Sequence, residues 1–480
     1  MPAEPDFLDA ATSFLLAWAH VSAALLVTAH VLLTRRNVRA AIGWIGVAWL
    51  SPLLGALLYY AMGINRVSRR ALRLRKRLAP MLKAIAPQPA VIAAQVPEHI
   101  AAIARVGDRL TGRMLTPNNA VSSLHGGDTA YPDMLDAIRG AKYSIALACY
   151  IFRGDKSGRS FVQALAEARD RGVEVRVLID GIGSGFFRPS ALPLLRAAKL
   201  KAARFMHDWR PWRTPILNMR SHKKILVVDG RIGFTGGMNI GDENCASAKP
   251  RLAVDDIQFR VEGPVVAQLM LTFAEDWSFT TGELLDGEIW WPVPQPAGQV
   301  AARGITSGPD EDIGNIENVL ATAVAQARRR LRIVTPYFLP DDRLLTGIVL
   351  AAERGVEVEV LLPQRSDHRL LDWAMAAHVG FLDVPGISFH LSRPPFDHAK
   401  LVTVDGQWCA IGSPNWDVRS LRLNFEFLLE GYDQGLTRDI DRLIDTKLTR
   451  ARALHPKRLM RRPIPIRLRD AAARLLLPYL

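Results

Sequence analysis

The spacing of apolar and polar positions divides the 480-residue chain into three regimes. Residues 11–34 carry no charged side chain, and a helix of that length spans the hydrocarbon core of a bilayer. A second uncharged stretch, 40–64, is rich in Trp, Leu and Gly and interrupted at Pro52, so it either spans or re-enters. Beyond residue 110 short β-branched runs alternate with amphipathic stretches. Residues 144–152 read as a strand and 159–170 as a helix, and the same order returns at 331–338 and 342–353. Arg171-Gly172-Val173-Glu174-Val175 recurs as Arg354-Gly355-Val356-Glu357-Val358, which marks an internal duplication. This order predicts an α/β fold: two similar lobes, each a mixed β-sheet flanked by helices, preceded by a membrane helical segment.

The boundaries that follow are an anchor over 1–65, a basic linker over 66–109, a first lobe over 110–285, a linker over 286–299, a second lobe over 300–435 and a basic amphipathic tail over 436–480. The second linker holds Trp291-Pro292-Val293-Pro294-Gln295-Pro296, the composition of a rigid spacer. The first basic residue is Arg35, so the N-terminus lacks the positive region of a secretory signal and reads as a retained anchor. His20 and His30 inside it are expected to hydrogen-bond to the neighbouring helix. Lys and Arg are absent before the first apolar stretch. Arg35, Arg36 and Arg39 follow it, and Arg66, Arg69, Arg70, Arg73, Arg75, Lys76 and Arg77 follow the second. An excess of Lys and Arg marks the cytoplasmic side, so both lobes are expected there whichever way 40–64 runs.

The net charge of +14 admits a nucleic-acid partner. Its distribution favours lipid instead. The positive residues cluster beside the apolar segments and in the tail, where Lys457, Arg458, Arg461, Arg462, Arg467, Arg469 and Arg474 interleave with Leu, Ile and Met. That is the composition of a helix on an anionic membrane surface. The three cysteines, Cys149, Cys245 and Cys409, have neither CxxC spacing nor a metal-ligand cluster around them. They fit a reducing compartment and imply no metal.

One pattern carries chemistry. His-x-Lys-x-x-x-x-Asp occurs as His222, Lys224 and Asp229 and again as His398, Lys400 and Asp405. Each copy is followed by a small-residue turn and an Asn: Gly236-Gly237-Met238-Asn239 and Gly412-Ser413-Pro414-Asn415. Between Lys and Asp lie short apolar runs that read as buried strands, and on a strand residues i and i+2 share a face. His and Lys therefore emerge together. An imidazole can attack or carry a proton, and an ammonium beside it holds an anionic oxygen as charge develops. Two His, two Lys and two Asn around one anion suit a phosphodiester. Asp229 and Asp405 either fix the turns before Gly230 and Gly406 or touch substrate.

With these residues the chain resembles the phospholipase D superfamily and, more narrowly, bacterial cardiolipin synthases. Supporting segments are Tyr150-Ile151-Phe152-Arg153, the run from Asn218 to Asn244, Thr335-Pro336-Tyr337-Phe338, and Arg419-Ser420 with Asn424 and Glu426. The resemblance implies phospholipase-D-like lobes, catalysis by His222, Lys224, Asp229, His398, Lys400 and Asp405, and phosphate binding by Asn239 and Asn415. His222 would be the nucleophile and His398 the general acid and base. The acidic residues that orient the histidines match Asp256 and Glu426, with the adjacent Asp255 a rival to Asp256. Asp397, directly before His398, departs from the pattern and would either weaken substrate binding or face away. The implied reaction joins two phosphatidylglycerol molecules into cardiolipin and releases glycerol, without cofactor or metal, at a bacterial inner membrane. Alternatives are a hydrolytic phospholipase D or transfer to another lipid or alcohol.

Overall fold

The computed structural model describes residues 7–34, 38–60, 96–183, 189–205, 220–249, 252–308 and 312–475. Arg35, Arg36, the basic cluster at 66–77 and Asn218 lie outside them. The described residues form two compact units, the N-terminal helices and the remainder.

In the first unit, helix Phe7–Thr34 contains the stretch Thr12–Thr34, long and apolar enough to cross a membrane. The second apolar stretch is two shorter helices, Val38–Leu50 and Pro52–Leu58. Pro52 opens the latter, where its missing N–H has no helical partner to lose. Val27, Val31, Ala48 and Tyr59 form the core between the helices. The His30 ring bonds the Tyr59 hydroxyl at 2.7 Å, and Trp49 donates to Thr28 at 3.1 Å. His30 thus does what its place in the sequence suggests.

The second unit carries the duplication. Among its described residues, 15 strands form one continuous sheet. From the middle outward the first lobe contributes Thr116–His125, Ile257–Glu262, Ile232–Gly236, Ile225–Val228, Ser144–Cys149, Glu174–Asp180 and Lys201–Phe205. The second contributes, in matching order, Val300–Ser307, Glu426–Tyr432, Trp408–Gly412, Leu401–Val404, Arg330–Val334, Glu357–Pro363 and Ile387–Ser392, with Arg452–Leu454 added at its edge. The lobes join where Thr116–His125 runs antiparallel to Val300–Ser307. In each lobe the outer three of the matching strands are parallel and the inner ones antiparallel, and Arg452–Leu454 is antiparallel at the edge of the second, the mixed sheet expected. The matching helices Lys156–Asp170 and Asp342–Glu353 are each capped by an aspartate, Asp155 and Asp341, that accepts a first-turn N–H, satisfying a donor the helix itself cannot.

Two segments differ from the sequence reading. The end of the expected basic linker lies in helix Glu98–Thr111, whose Ile100 and Ile103 enter the core of the second lobe. The expected tail begins too early: Gln434–Thr449 is a helix of that lobe, burying Leu436, Ile440 and Ile444. An apolar stripe of spacing four was hidden there among Arg, Asp and Lys. Further on, helix Ile464–Leu475 packs on helix Arg369–Val379.

Because the second unit has its own apolar cores, anchoring and catalysis should separate. A chain lacking residues 1–64 should stay folded and turn over detergent-dispersed lipid, yet lose activity on bilayers, where anchoring raises local concentration. A monodisperse, folded truncation inactive in detergent would show that the anchor belongs to the active site.

Candidate active site

Each motif strand is preceded by its His and Lys, and there the chain pairs with the opposite lobe. The His222 N–H donates to the Phe425 carbonyl at 2.9 Å, and the Phe425 N–H to the Arg220 carbonyl at 2.7 Å. In the matching place, Phe396–Asp397 pairs with Val254–Asp255, and the His398 N–H donates to the Asp255 carbonyl at 2.8 Å.

This exchange brings the orienting carboxylates across the seam. His222 Nδ1 lies 3.0 Å from Glu426 of the second lobe, and His398 Nδ1 lies 2.6 Å from Asp256 of the first. Each imidazole is thus held by a carboxylate downstream of the other motif. A carboxylate on Nδ1 favours the tautomer protonated there and leaves Nε2 outside that contact. Glu426 is held in turn by the Ser413 hydroxyl and by the Asn424 amide at 3.2 Å. Position 237, the counterpart of Ser413, is glycine, because a Cβ there would meet the Asp256 carboxylate at 2.5 Å. The Tyr150 ring packs edge-on against His222 at 4.9 Å, with Lys224 Nζ 5.3 Å from the same ring.

The rivalry between Asp255 and Asp256 is decided by strand alternation. Asp256 faces His398, while Asp255 points the other way to Lys447 at 2.7 Å. Lys447 also holds Asp397 at 3.0 Å, so Asp397 turns away from the site. Lys223, between His222 and Lys224, likewise faces backward, onto Asp276 at 2.9 Å.

Lys224 and Lys400 are buried, and each Nζ folds back onto the carbonyl of its own motif histidine. The Asn residues sit at the adjoining turns. Asn239 accepts from the Ile151 N–H at 3.1 Å. Asn415 is buried and hydrogen-bonds Asp417, and its Oδ1 has no partner among the described residues.

Asp229 and Asp405 are not brought to this site. They lie at the far end of the motif strands, each with positive φ and followed by a glycine of positive φ. That sequence of two left-handed residues makes the tight hairpin turn Asp-Gly favours. The Asp229 carboxylate accepts from the N–H groups of Lys142, Tyr143 and Ser144, and Asp405 from those of Arg328, Arg329 and Arg330. They secure the neighbouring strand, so of the two roles left open by the sequence they take the turn-fixing one, and the catalytic part implied by the resemblance gives way to it.

Electrostatics show that the halves share one space. Burial drives His222 down to about 4, with the charges of Lys224 and Lys400 adding to it. Burial, then Lys400, lowers Lys224 to about 7, and burial lowers Lys400 to about 8. His398 is lowered by burial and by Lys400. Burial works to raise Glu426 and Asp256, but the facing His and Lys charges outweigh it and keep both carboxylates ionised. Among the described residues no group of three or more His, Cys, Asp or Glu is placed to hold a metal ion.

A partly neutral lysine pair has a measurable consequence. An arriving phosphodiester favours the charged ammonium. At pH 8 the protein should take up protons when it binds an unreactive phosphodiester analogue. Calorimetry in buffers of different ionisation enthalpy should show this uptake, and it should shrink in Lys224→Met. Binding heats independent of buffer would mean that both lysines are already charged.

The sequence matches a family profile described as "Cardiolipin synthase, PLD-like domain" at residues 134–277 and 320–448, one segment on each lobe. Its relatives include "Cardiolipin synthase 1" of Bacillus anthracis, 30% identical and covering 94% of this chain and 91% of the relative. "Cardiolipin synthase A" of Pseudomonas fluorescens is 31% identical over 90% of each chain. Among solved structures, the phosphatidylserine synthase of Haemophilus influenzae shares the fold, with a TM-score of 0.62 at 16% identity, covering 80% of this chain and all of that one. A duplicated fold, a doubled His-Lys motif and similarity over nine-tenths of the length converge: the chain belongs to the cardiolipin synthase family, with its paired phospholipase-D-like domains.

Proposed function

We propose that this chain is a phosphatidyltransferase that joins two phosphatidylglycerol molecules into cardiolipin and releases glycerol. The observation that carries the chemistry is the crossed pairing of His222 with Glu426 and of His398 with Asp256. It supplies two oriented imidazoles, one neutral enough to attack and one to move a proton. In the first step His222 Nε2 attacks phosphorus. The bond from phosphorus to the glycerol oxygen breaks, and His398 gives its proton to that oxygen. In the second step a hydroxyl of the second phosphatidylglycerol loses its proton to His398 and attacks the phosphohistidine. The P–N bond breaks and His222 is regenerated. Lys224 and Lys400 compensate the phosphate charge throughout, and Asn239 and Asn415 are the proposed neutral phosphate donors.

The names of the relatives support transfer over hydrolysis. The apolar helix Thr12–Thr34 and the placing of Lys and Arg along the sequence support an inner-membrane enzyme with cytoplasmic lobes. The test is incubation of purified enzyme with labelled phosphatidylglycerol, alone and with phosphatidylethanolamine. Cardiolipin and free glycerol from phosphatidylglycerol alone are expected. Phosphatidic acid as the sole product would replace the transferase by a hydrolase.

A further inference from the structure

We infer that helix Ile464–Leu475 is a docking surface for an anionic bilayer, fixed to the second lobe on one side and applied to lipid on the other. The inner side is held by protein. Asp470 and Ala473 are buried, the Arg469 guanidinium lies 4.4 Å over Trp373 and that of Arg474 lies 4.9 Å over Phe381. Asp470 bridges Arg462 at 2.6 Å and Arg469 at 2.7 Å. These contacts make the helix a rigid part of the lobe.

The outer side is apolar where a surface helix should be polar. Ile464, Leu468 and Leu475 are 68%, 65% and 76% exposed. Steps of four and seven place them on one stripe of an α-helix. Phe381, 61% exposed beside Arg474, adds to the apolar surface. Around this patch the charge has one sign. Between Pro456 and Leu475 there are seven Lys and Arg, and the single acid, Asp470, is buried. Lys457 is engaged by Asp383, while Arg458, Arg461 and Arg467 are exposed. An aliphatic stripe edged by arginines matches the boundary between acyl chains and anionic head groups. A nucleic acid has no use for the aliphatic stripe, and a second copy of the chain would set positive charge against positive charge.

This surface is independent of the chemistry of the two histidines, so it can be tested without turnover. In the full-length protein, Leu468→Cys is labelled with an environment-sensitive fluorophore. The native cysteines are buried, and the unlabelled parent sets the background. A label at Asp439, exposed on another helix, is the control. On phosphatidylglycerol-rich vesicles the emission from position 468 should shift to the blue and be quenched by lipids brominated on their acyl chains. Both effects should be lost with Arg458, Arg461 and Arg467 changed to Gln, and the control should not respond. Emission at 468 indifferent to brominated lipid overturns the inference. So does a shift that follows protein concentration rather than lipid, which would assign the face to a second copy.

Discussion

Replacing His222 with Ala should abolish turnover and, with it, covalent labelling by a phosphatidyl donor. Loss of the proposed nucleophile would remove the atom on which the intermediate is expected to form. His398→Ala should behave differently. Turnover should drop on the order of 10²–10⁴-fold, the usual contribution of a positioned acid or base. Some phosphoenzyme should nevertheless accumulate with a donor whose leaving alcohol is acidic enough to depart unaided, since resolving it needs the missing base. Acid quench and gel analysis with labelled donor separate the two outcomes. Label that persists on the His222→Ala protein and vanishes from the His398→Ala protein would reverse the roles.

The second large effect concerns the carboxylates. Glu426→Gln should cost roughly as much as an acid–base group, about 10²–10⁴-fold, although it keeps the shape of the side chain. The amide cannot compensate a developing imidazolium, and burial already opposes charge on His222. The diagnostic is the step affected. Glu426 lies in the second lobe but holds His222, so Glu426→Gln should show the labelling defect of His222→Ala. Asp256→Asn lies in the first lobe but should behave like His398→Ala and leave label in place. Single-turnover measurement of label formation and decay reads both. If each carboxylate variant instead mimics loss of the histidine in its own lobe, the crossed pairing is not the functional one.

The sequence disclosed the parts of this site and not its wiring. His222, Lys224, His398 and Lys400 were legible because their spacing repeats, and the Asp-Gly turns because that dipeptide has strong local preferences for a left-handed pair. Asp256 and Glu426 came from the resemblance, but which of them serves which histidine was not legible. Whether Asp255 or Asp256 faces His398 depends on how 254–255 aligns with 396–397 in the other lobe, and a slip of one residue exchanges the two. The same non-local cause hides the backward turn of Asp397, which exists because Lys447, 50 residues away, supplies its counter-charge. Lys447 rides on helix Gln434–Thr449, where a basic composition masked the stripe of Leu436, Ile440 and Ile444. Conversely, the pattern left Asp229 and Asp405 open between turn and substrate, and the resemblance counted them as catalytic. Their repetition reflects a turn that both lobes need.

The join between Thr116–His125 and Val300–Ser307 makes the molecule a twofold dimer written on one chain. Two identical subunits could build the same crossed site, but neither histidine could differ from its twin until a substrate arrived and broke the tie. Fusion removes that constraint. Position 237 is glycine while 413 is serine, and one imidazole is packed against Tyr150 while the other is packed against Phe396. Division of labour between attacker and proton carrier can thereby be inherited in the sequence instead of being decided anew at every encounter with lipid.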